Sequence, residues 1–541
     1  MSRPCEKDTA GGKFFPIIPT VKTQNNSNQT AGKESVMRSQ SYPRVLTVML
    51  AFLLIMPAFS GCGENSPSAA EDSTGVEALP EEAASHETAP EETEAPDPFE
   101  DLDLDGMDIR MLVSTYAKGA GSSAFAIINE DTLTGEVVSD TVFNRNEKVQ
   151  SLLNIRFSFT ENDQNCLDIP ATITKMVSSG DDAYELIIHD LFPLATLSVQ
   201  DSFLNVTGMP YLDFTQPYWY ESYMKDVSFS SASKRYILAG DYFLDIIRSA
   251  HALYLNKDRY RTLYGDPEEL YKLVLDGGWT QDVFMQYSNG AYQDVNGNGE
   301  KDKEDLFGFS TYGYWGPIIP WVIGSDLTFL EYGEDGSPAF ALDNERSVDL
   351  MNRLTDIFYG EGAFDFQGDY STAFINGSSL FGGYLRVASI ENFRDMEADI
   401  GILPIPKMDD QQPRYITSSH DTASVGVIPV TCTKADSLGA VLEVLSRESA
   451  NELIPAYYET ALKTKYTRDN QSALILDLIR QNISCVFPLA FGSYCNNMPI
   501  KQAFSELLEK QSTDFTSNYA KIVKPAQKQL DKLWESFSAN R

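Results

Sequence analysis

Oxygen-bearing side chains crowd one short stretch of the chain, Asp294-Val295-Asn296-Gly297-Asn298-Gly299-Glu300-Lys301-Asp302-Lys303-Glu304-Asp305. Oxygens at loop positions one, three, five and nine, with glycine at six, can wrap a single hard cation such as Ca2+. In that reading Asp294, Asn296, Asn298 and Asp305 supply side-chain oxygens, and Glu300 supplies a backbone carbonyl. Asp305 holds the twelfth place, where a helix–loop–helix calcium hand carries Glu, so its grip is one-oxygen or weakly two-oxygen. A solvated Asn/Gly-rich turn without metal explains the same residues. If Ca2+ binds, its role is structural rather than catalytic, and no other cofactor is called for.

Catalytic signatures are missing. The sequence has no Gly-x-Ser-x-Gly elbow, no His-Glu-x-x-His, no phosphate-cradling glycine loop and no dinucleotide fingerprint. A carboxylate pair for glycoside hydrolysis is defined by spatial separation, which sequence does not give. The expectation is therefore a binding protein and not an enzyme.

The segments that must carry and position any site begin with a targeting signal. Arg38 and Arg44 precede the apolar run Val45–Phe59, which closes at Ser60-Gly61-Cys62. A charged start, an apolar core and small residues before a cysteine are the parts of a signal peptide. The core is short for a bilayer span. It resembles a bacterial lipoprotein signal in which Cys62 becomes the lipidated first residue, although Phe59 stands where Leu is commonest. An uncleaved membrane anchor is the alternative. Residues 1–36 are polar and aperiodic, and Met37 opens a signal of ordinary length, so 1–36 reads as a start-site artefact and 37–61 as the signal. Both readings place the bulk of the chain outside the cytoplasm, on the outer face of the cell membrane.

Glu64–Asp105 is rich in Glu, Pro, Ala and Ser, and 62–107 is read as an acidic, disordered spacer that holds the folded part off the membrane. The chain has 541 residues and a formal net charge of −36, which argues against nucleic acid or anionic lipid as partner. The six cysteines are too few for a disulfide scaffold. Cys5 and Cys62 go with processing, and Cys166 and Cys432 look isolated. Cys485 and Cys495 are near enough in sequence to pair, or else are two buried thiols. No spacing resembles a zinc site.

From Asp108 the pattern alternates. Strands are read at Ile109–Ser114, Ile155–Thr160, Tyr184–His189, Ala252–Asn256 and Leu306–Ser310. Helices are read at Asp140–Leu153, Pro170–Ser178 and Pro267–Leu275, with Thr280 capping the next. Alternation of this kind predicts an α/β fold with a mainly parallel sheet, whose ligands gather at the carboxyl ends of the strands. Ser114, Thr115, Tyr116 and Asp190 fall at such ends, although each also suits a turn or a cap.

The order Tyr254-Leu255-Asn256-Lys257, Gly278-Trp279-Thr280, the Asp/Asn/Gly loop and Phe307-Gly308-Phe309 resembles the extracellular solute-binding proteins of ABC importers, family 1. Gly401-Ile402-Leu403-Pro404-Ile405-Pro406, Gly426-Val427-Ile428-Pro429, Pro455-Ala456-Tyr457-Tyr458-Glu459 and Lys463–Asp469 continue the likeness to the end of the chain. The resemblance implies a two-lobe periplasmic-binding-protein-like fold (type II), hinge-linked, with a cleft between the lobes. Lobe one would be 108–251 plus 407–450, and lobe two 252–406 plus 451–541. The chain would cross near Ala252–Asn256, return near Ile400–Pro406, and pack its C-terminal helices mostly on lobe two. The implied function is capture of a carbohydrate, most simply an oligosaccharide, and delivery to an ABC permease. Alternatives are a surface glycan-binding or sensor protein, or a binder of peptides or another small solute. The acidic surface disfavours a highly anionic ligand unless a local basic pocket offsets it.

Sugars are held by aromatic faces against their C–H patches, with carboxylates, amides and Arg on their hydroxyls. Thr311–Gly316 follows a strand of the second lobe and carries Tyr312, Tyr314 and Trp315, with Trp315 the leading platform. Trp219 is a second candidate, while Trp321 reads as core and Trp279 as a helix start. Polar candidates are Asp190 and Asp241 after apolar strands, Arg386, and Ser419 and Asp421 near the return crossing. Aromatic packing explains Trp219 as well, a surface ion pair explains Arg386, and His420 reads as a turn residue.

Overall fold

The computed structural model describes residues 97–116, 122–312, 315–393, 396–463, 471–484 and 486–539. The run Val45–Phe59, Cys62 and most of the acidic spacer lie outside them. Strands are β1 (Met107–Ser114), β2 (Ile155–Asn162), β3 (Leu186–Asp190), β4 (His251–Asn256), β5 (Phe307–Thr311), β6 (Leu330–Tyr332), β7 (Pro338–Phe340), β8 (Ala363–Asp365), β9 (Ser379–Arg386), β10 (Ile400–Leu403) and β11 (Ser424–Val427). They form two larger sheets, ordered β11-β3-β1-β2 and β10-β4-β9-β5-β8, and a small β6-β7 pair. The chain is a two-lobed α/β protein.

In the first sheet β1, β2 and β3 run parallel and β11 runs against β3. Leu186-Ile187-Ile188 is buried throughout, as a central strand covered on both faces must be. β2 at the edge alternates half-buried with exposed residues after its buried first residue, Ile155. The helix Val137–Leu153 delivers the chain to β2 through Asn154, whose left-handed backbone (φ 48°) ends the helix.

In the second sheet β5, β8 and β9 are parallel, and β4 lies antiparallel to both β9 and β10. The helix Gln281–Gly290 presses on this sheet, since a Cβ at Gly308 would stand 1.9 Å from the Ser288 carbonyl oxygen. Only glycine allows that approach. Phe284 packs at the centre against Phe309 (5.2 Å) and Trp321 (4.9 Å). Trp279 is buried and donates its indole N–H to the Pro404 carbonyl at 3.0 Å. Thr280 caps the helix as its sequence position suggests, its side chain accepting from the Val283 N–H.

Two of the segments that join the lobes pair with each other. Ala250 pairs antiparallel with Ser419, His251 donates its N–H to Ser418 (2.8 Å), and His420 donates to Ser249 (3.0 Å). The crossing therefore lies at Ser249–His251, immediately before Ala252–Asn256, and its return segment is Ser418–His420, further along the chain than Ile400–Pro406. Ala252–Asn256 and Ile400–Leu403 belong to strands of the second sheet. Residues 407–417 likewise stay on the second lobe: Lys407 pairs with Thr280, Arg346 with Asp409 (2.7 Å), and the Tyr415 hydroxyl donates to Val274 (2.8 Å).

Two further boundaries shift. Residues 97–106, assigned to the spacer, are ordered, because Phe99 is buried against Tyr211 and Arg447 while Asp97 pairs with Arg447 at 3.0 Å. The stretch 451–541, assigned to lobe two, straddles both lobes. Phe229, on the first-lobe side, packs on Phe487, Phe491, Trp534 and Phe537.

Candidate functional site

The crossing pair fixes which edges of the sheets meet. Asp190 ends β3 and pairs with Ser424, and Phe192 donates its N–H to the Asp421 carbonyl. Four residues before Ser424, His420 is already in the crossing. At its other end the crossing runs into His251, the register partner of Arg386 at the end of β9. The carboxyl edge of the first sheet thus faces the carboxyl edge of the second across the crossing, where α/β sheets hold ligands.

On the second lobe β5 runs out into Tyr312, whose ring stacks on Tyr370 (centroids 4.4 Å apart, planes 23° apart). Tyr370 opens a short helix, Tyr370–Ile375, and has no sequence signal beyond its type. Burial raises the pKa of both hydroxyls, Tyr370 to about 12, and the positive Arg386 opposes the shift. Both rings therefore lie in the field of one guanidinium.

On the first lobe, a cavity of about 210 Å³ opens at the ends of β1 and β2, lined by Thr115, Phe125, Asn129, Glu130 and Glu161 among others. Phe125 is 38% exposed and carries the Arg248 guanidinium 5.0 Å from its ring. Arg248 also binds Ser123 (2.6 Å) and Glu391 (3.1 Å), and Tyr457 donates to Glu391 (3.2 Å). That network ties the loop after β1 to the crossing. Asp190 is fully buried beside His189, whereas Asp421 is half-buried with His420 at 2.8 Å.

The remaining residues expected from sequence lie elsewhere. Trp219 is 4% exposed, donates its indole N–H to Glu443 (2.9 Å), packs on Phe214 and Tyr242, and lines a separate cavity of about 270 Å³ with Gln216 and Arg480. Asp241 is also buried, held by Arg480 and by the Tyr220 hydroxyl (2.9 Å). Burial raises the Asp241 pKa against the pull of Arg480, whose own pKa that carboxylate holds up. Ser419 is buried in the crossing and donates to the Ile246 carbonyl (3.2 Å). Tyr314 and the Trp315 side chain lie outside the described residues.

The Asp/Asn loop is closed by its own hydrogen bonds. Asp294 accepts from the Gly297 and Gly299 N–H groups at 2.7 and 2.9 Å. Asn298 accepts from Glu300, and Asp305 accepts from Val295 and from the Tyr292 hydroxyl. Asn296 and Asn298 turn their amide N–H groups to Asp302. Among the described residues no group of three His, Cys, Asp or Glu side chains is placed to hold a metal ion. Cys432 and Cys495 are free thiols, and Cys485 lies outside the described residues.

No family model and no curated protein matches the chain. Solved structures do resemble it. A Thermotoga lettingae ABC transporter solute-binding protein bound with α-D-tagatose is 10% identical over 79% of this chain and 100% of its own, with a TM-score of 0.47. The galacto-N-biose/lacto-N-biose I-binding protein of Bifidobacterium longum, in complex with lacto-N-biose, is 13% identical over 80% and 98%, with a TM-score of 0.47. UgpB from Mycobacterium tuberculosis, in complex with glycerophosphocholine, is 13% identical over 79% and 98%, with a TM-score of 0.49.

His251 gives the site a pH signature. Its ring is buried, with Nδ1 2.9 Å from the Ser418 hydroxyl. Burial, then His420 and Arg386, hold its pKa well below 6.5. An unfolded chain takes up a proton below 6.5 while the folded crossing does not, so stability falls as the pH drops below that value. Asp226, pushed up to about 6 by burial, contributes the opposite slope, and comparison with a His251→Asn variant cancels it. Urea unfolding from about pH 7.5 to 5.5 should show the wild type losing more than the variant, by up to about 1.4 kcal/mol per pH unit. Equal losses would rule His251 out as the responsible group.

Proposed function

We propose that this chain is an extracellular solute-binding protein that captures a carbohydrate by closing two lobes and passes it to an ABC permease. One observation carries the reading: the stacked Tyr312–Tyr370 pair beside Arg386 stands on one sheet edge and faces a carboxylate-bearing edge across a two-segment crossing. Stacked phenols offer a flat apolar face to a sugar ring, and Glu130, Glu161 and Asn129 offer acceptors for its hydroxyls. Closure then follows from mass action, since a ligand touching both edges stabilises the state in which they are near.

The membrane part of the proposal rests on sequence. The charged start, apolar core and Ser60-Gly61-Cys62 end support a lipid anchor at Cys62 on the outer face of the cell membrane. Palmitate labelling of the chain in a bacterial host should vanish in Cys62→Ser, and labelling that survives would contradict the anchor.

For the ligand, thermal unfolding with mono- and oligosaccharides, peptides and amino acids is the direct test. A sugar that binds the folded state alone raises the midpoint, by about 2.7 kcal/mol of stability at a hundred times its Kd. Tyr312→Ala should weaken that sugar by roughly 0.5–1.5 kcal/mol, up to about tenfold in affinity. A shift with peptides and with no sugar would keep the fold and overturn the carbohydrate.

A further inference from the structure

Among the described residues Arg386 is an arginine without a hydrogen-bonded or ion-paired partner. Among the described residues the other buried or half-buried arginines are bonded through their side chains: Arg110 to Glu185, Arg235 to Glu221, Arg248 to Glu391, Arg346 to Asp409, Arg353 to Asp282, Arg447 to Asp97 and Arg480 to Asp241. Arg145 and Arg259 bond to neutral oxygens. The half-buried guanidinium of Arg386 makes no hydrogen bond or ion pair with another described residue. The chain holds 78 acidic residues against 42 Lys and Arg, so carboxylates are not scarce.

The backbone that carries this guanidinium is pinned. The Arg386 N–H donates to the Ser389 hydroxyl (3.0 Å), and the Tyr254 hydroxyl donates to the carbonyls of Arg386 and Val387 (3.0 and 2.8 Å). Across the strand pair stands His251, held neutral at ordinary pH by burial. A fixed stem, a free fork and two aromatic rings in its field are the parts of an oxyanion grip.

We infer that the cleft takes an anionic saccharide, with Arg386 gripping a carboxylate, sulfate or phosphate of the sugar bidentately while the Tyr312–Tyr370 pair supports its ring. The inference rests on the solute-binding reading and narrows its substrate class. It also revises the expectation from net charge. Repulsion by exposed carboxylates is screened beyond about 8 Å at physiological salt, whereas a contact in the cleft is not. Sequence composition reports the first effect alone.

The test is isothermal titration of the mature chain, made soluble by Cys62→Ser, with matched pairs of saccharides. One arm pairs galacturonate oligomers with galactose oligomers of equal length. A second pairs sulfated or phosphorylated disaccharides with their unmodified forms. The expected result is an acidic member bound at least tenfold tighter than its neutral match. That preference should disappear in Arg386→Gln and return in part in Arg386→Lys, which keeps the charge and loses the fork. The two arms tell carboxylate from sulfate or phosphate. Binding of neutral members alone, unchanged by Arg386→Gln, would overturn the anionic ligand and leave the carbohydrate reading standing. No binding in either set would overturn both. The unfolding midpoints of both variants, matched to the parent, separate a lost contact from a lost fold.

Discussion

Ser249–His251 pairing with Ser418–His420 is the constraint on which the rest of the molecule depends. Three backbone positions on each side bring the two sheets edge to edge, and their register decides which residues meet. Slip that pairing by one residue and the Arg386 end of β9 shifts against the Asp190 end of β3. The segment is short and most of its side chains are small or buried, so backbone bonds hold its geometry.

Ion pairs stand on either side of the crossing. Arg248 binds Glu391 and the Ser123 hydroxyl, and Tyr457 closes the same group. Arg480 reaches Asp241, which also takes the Tyr220 hydroxyl. Buried pairs of this type add little net stability, because desolvation offsets the attraction, but breaking one leaves a charge stranded at a cost of about 3–5 kcal/mol. Arg386 differs in kind, since among the described residues its guanidinium has no such partner.

Much of this was legible in sequence where the signal was local. The Leu-Ile-Ile run of β3, the Thr280 cap and the Pro267–Leu275 helix follow from patterns a few residues long. Tyr312 and Arg386 stood out by type and by their place after apolar strands. What sequence could not give was partnership at a distance. Trp219 sits in a loop-like Pro217-Tyr218-Trp219-Tyr220 run, yet its indole answers Glu443, 224 residues on. Asp241 follows an apolar stretch as a cleft residue would, yet Arg480 holds it from 239 residues away. Tyr370 escaped notice because a helix of six residues leaves no periodic trace. The spacer boundary was readable in hindsight, since Phe99, Leu102 and Leu104 give the acidic tail an apolar end that packs on lobe one.

The central claim is that two lobes move about one crossing when a ligand bridges them. Spin labels at Leu133→Cys and Leu263→Cys, exposed positions on the first and second lobes, would report it through the distance distribution between them, with the native cysteines replaced. With a saccharide that raises the unfolding midpoint, the distribution should shorten and narrow. An unchanged distribution at saturating ligand would mean a rigid cleft, and the account of the crossing as a hinge would fail.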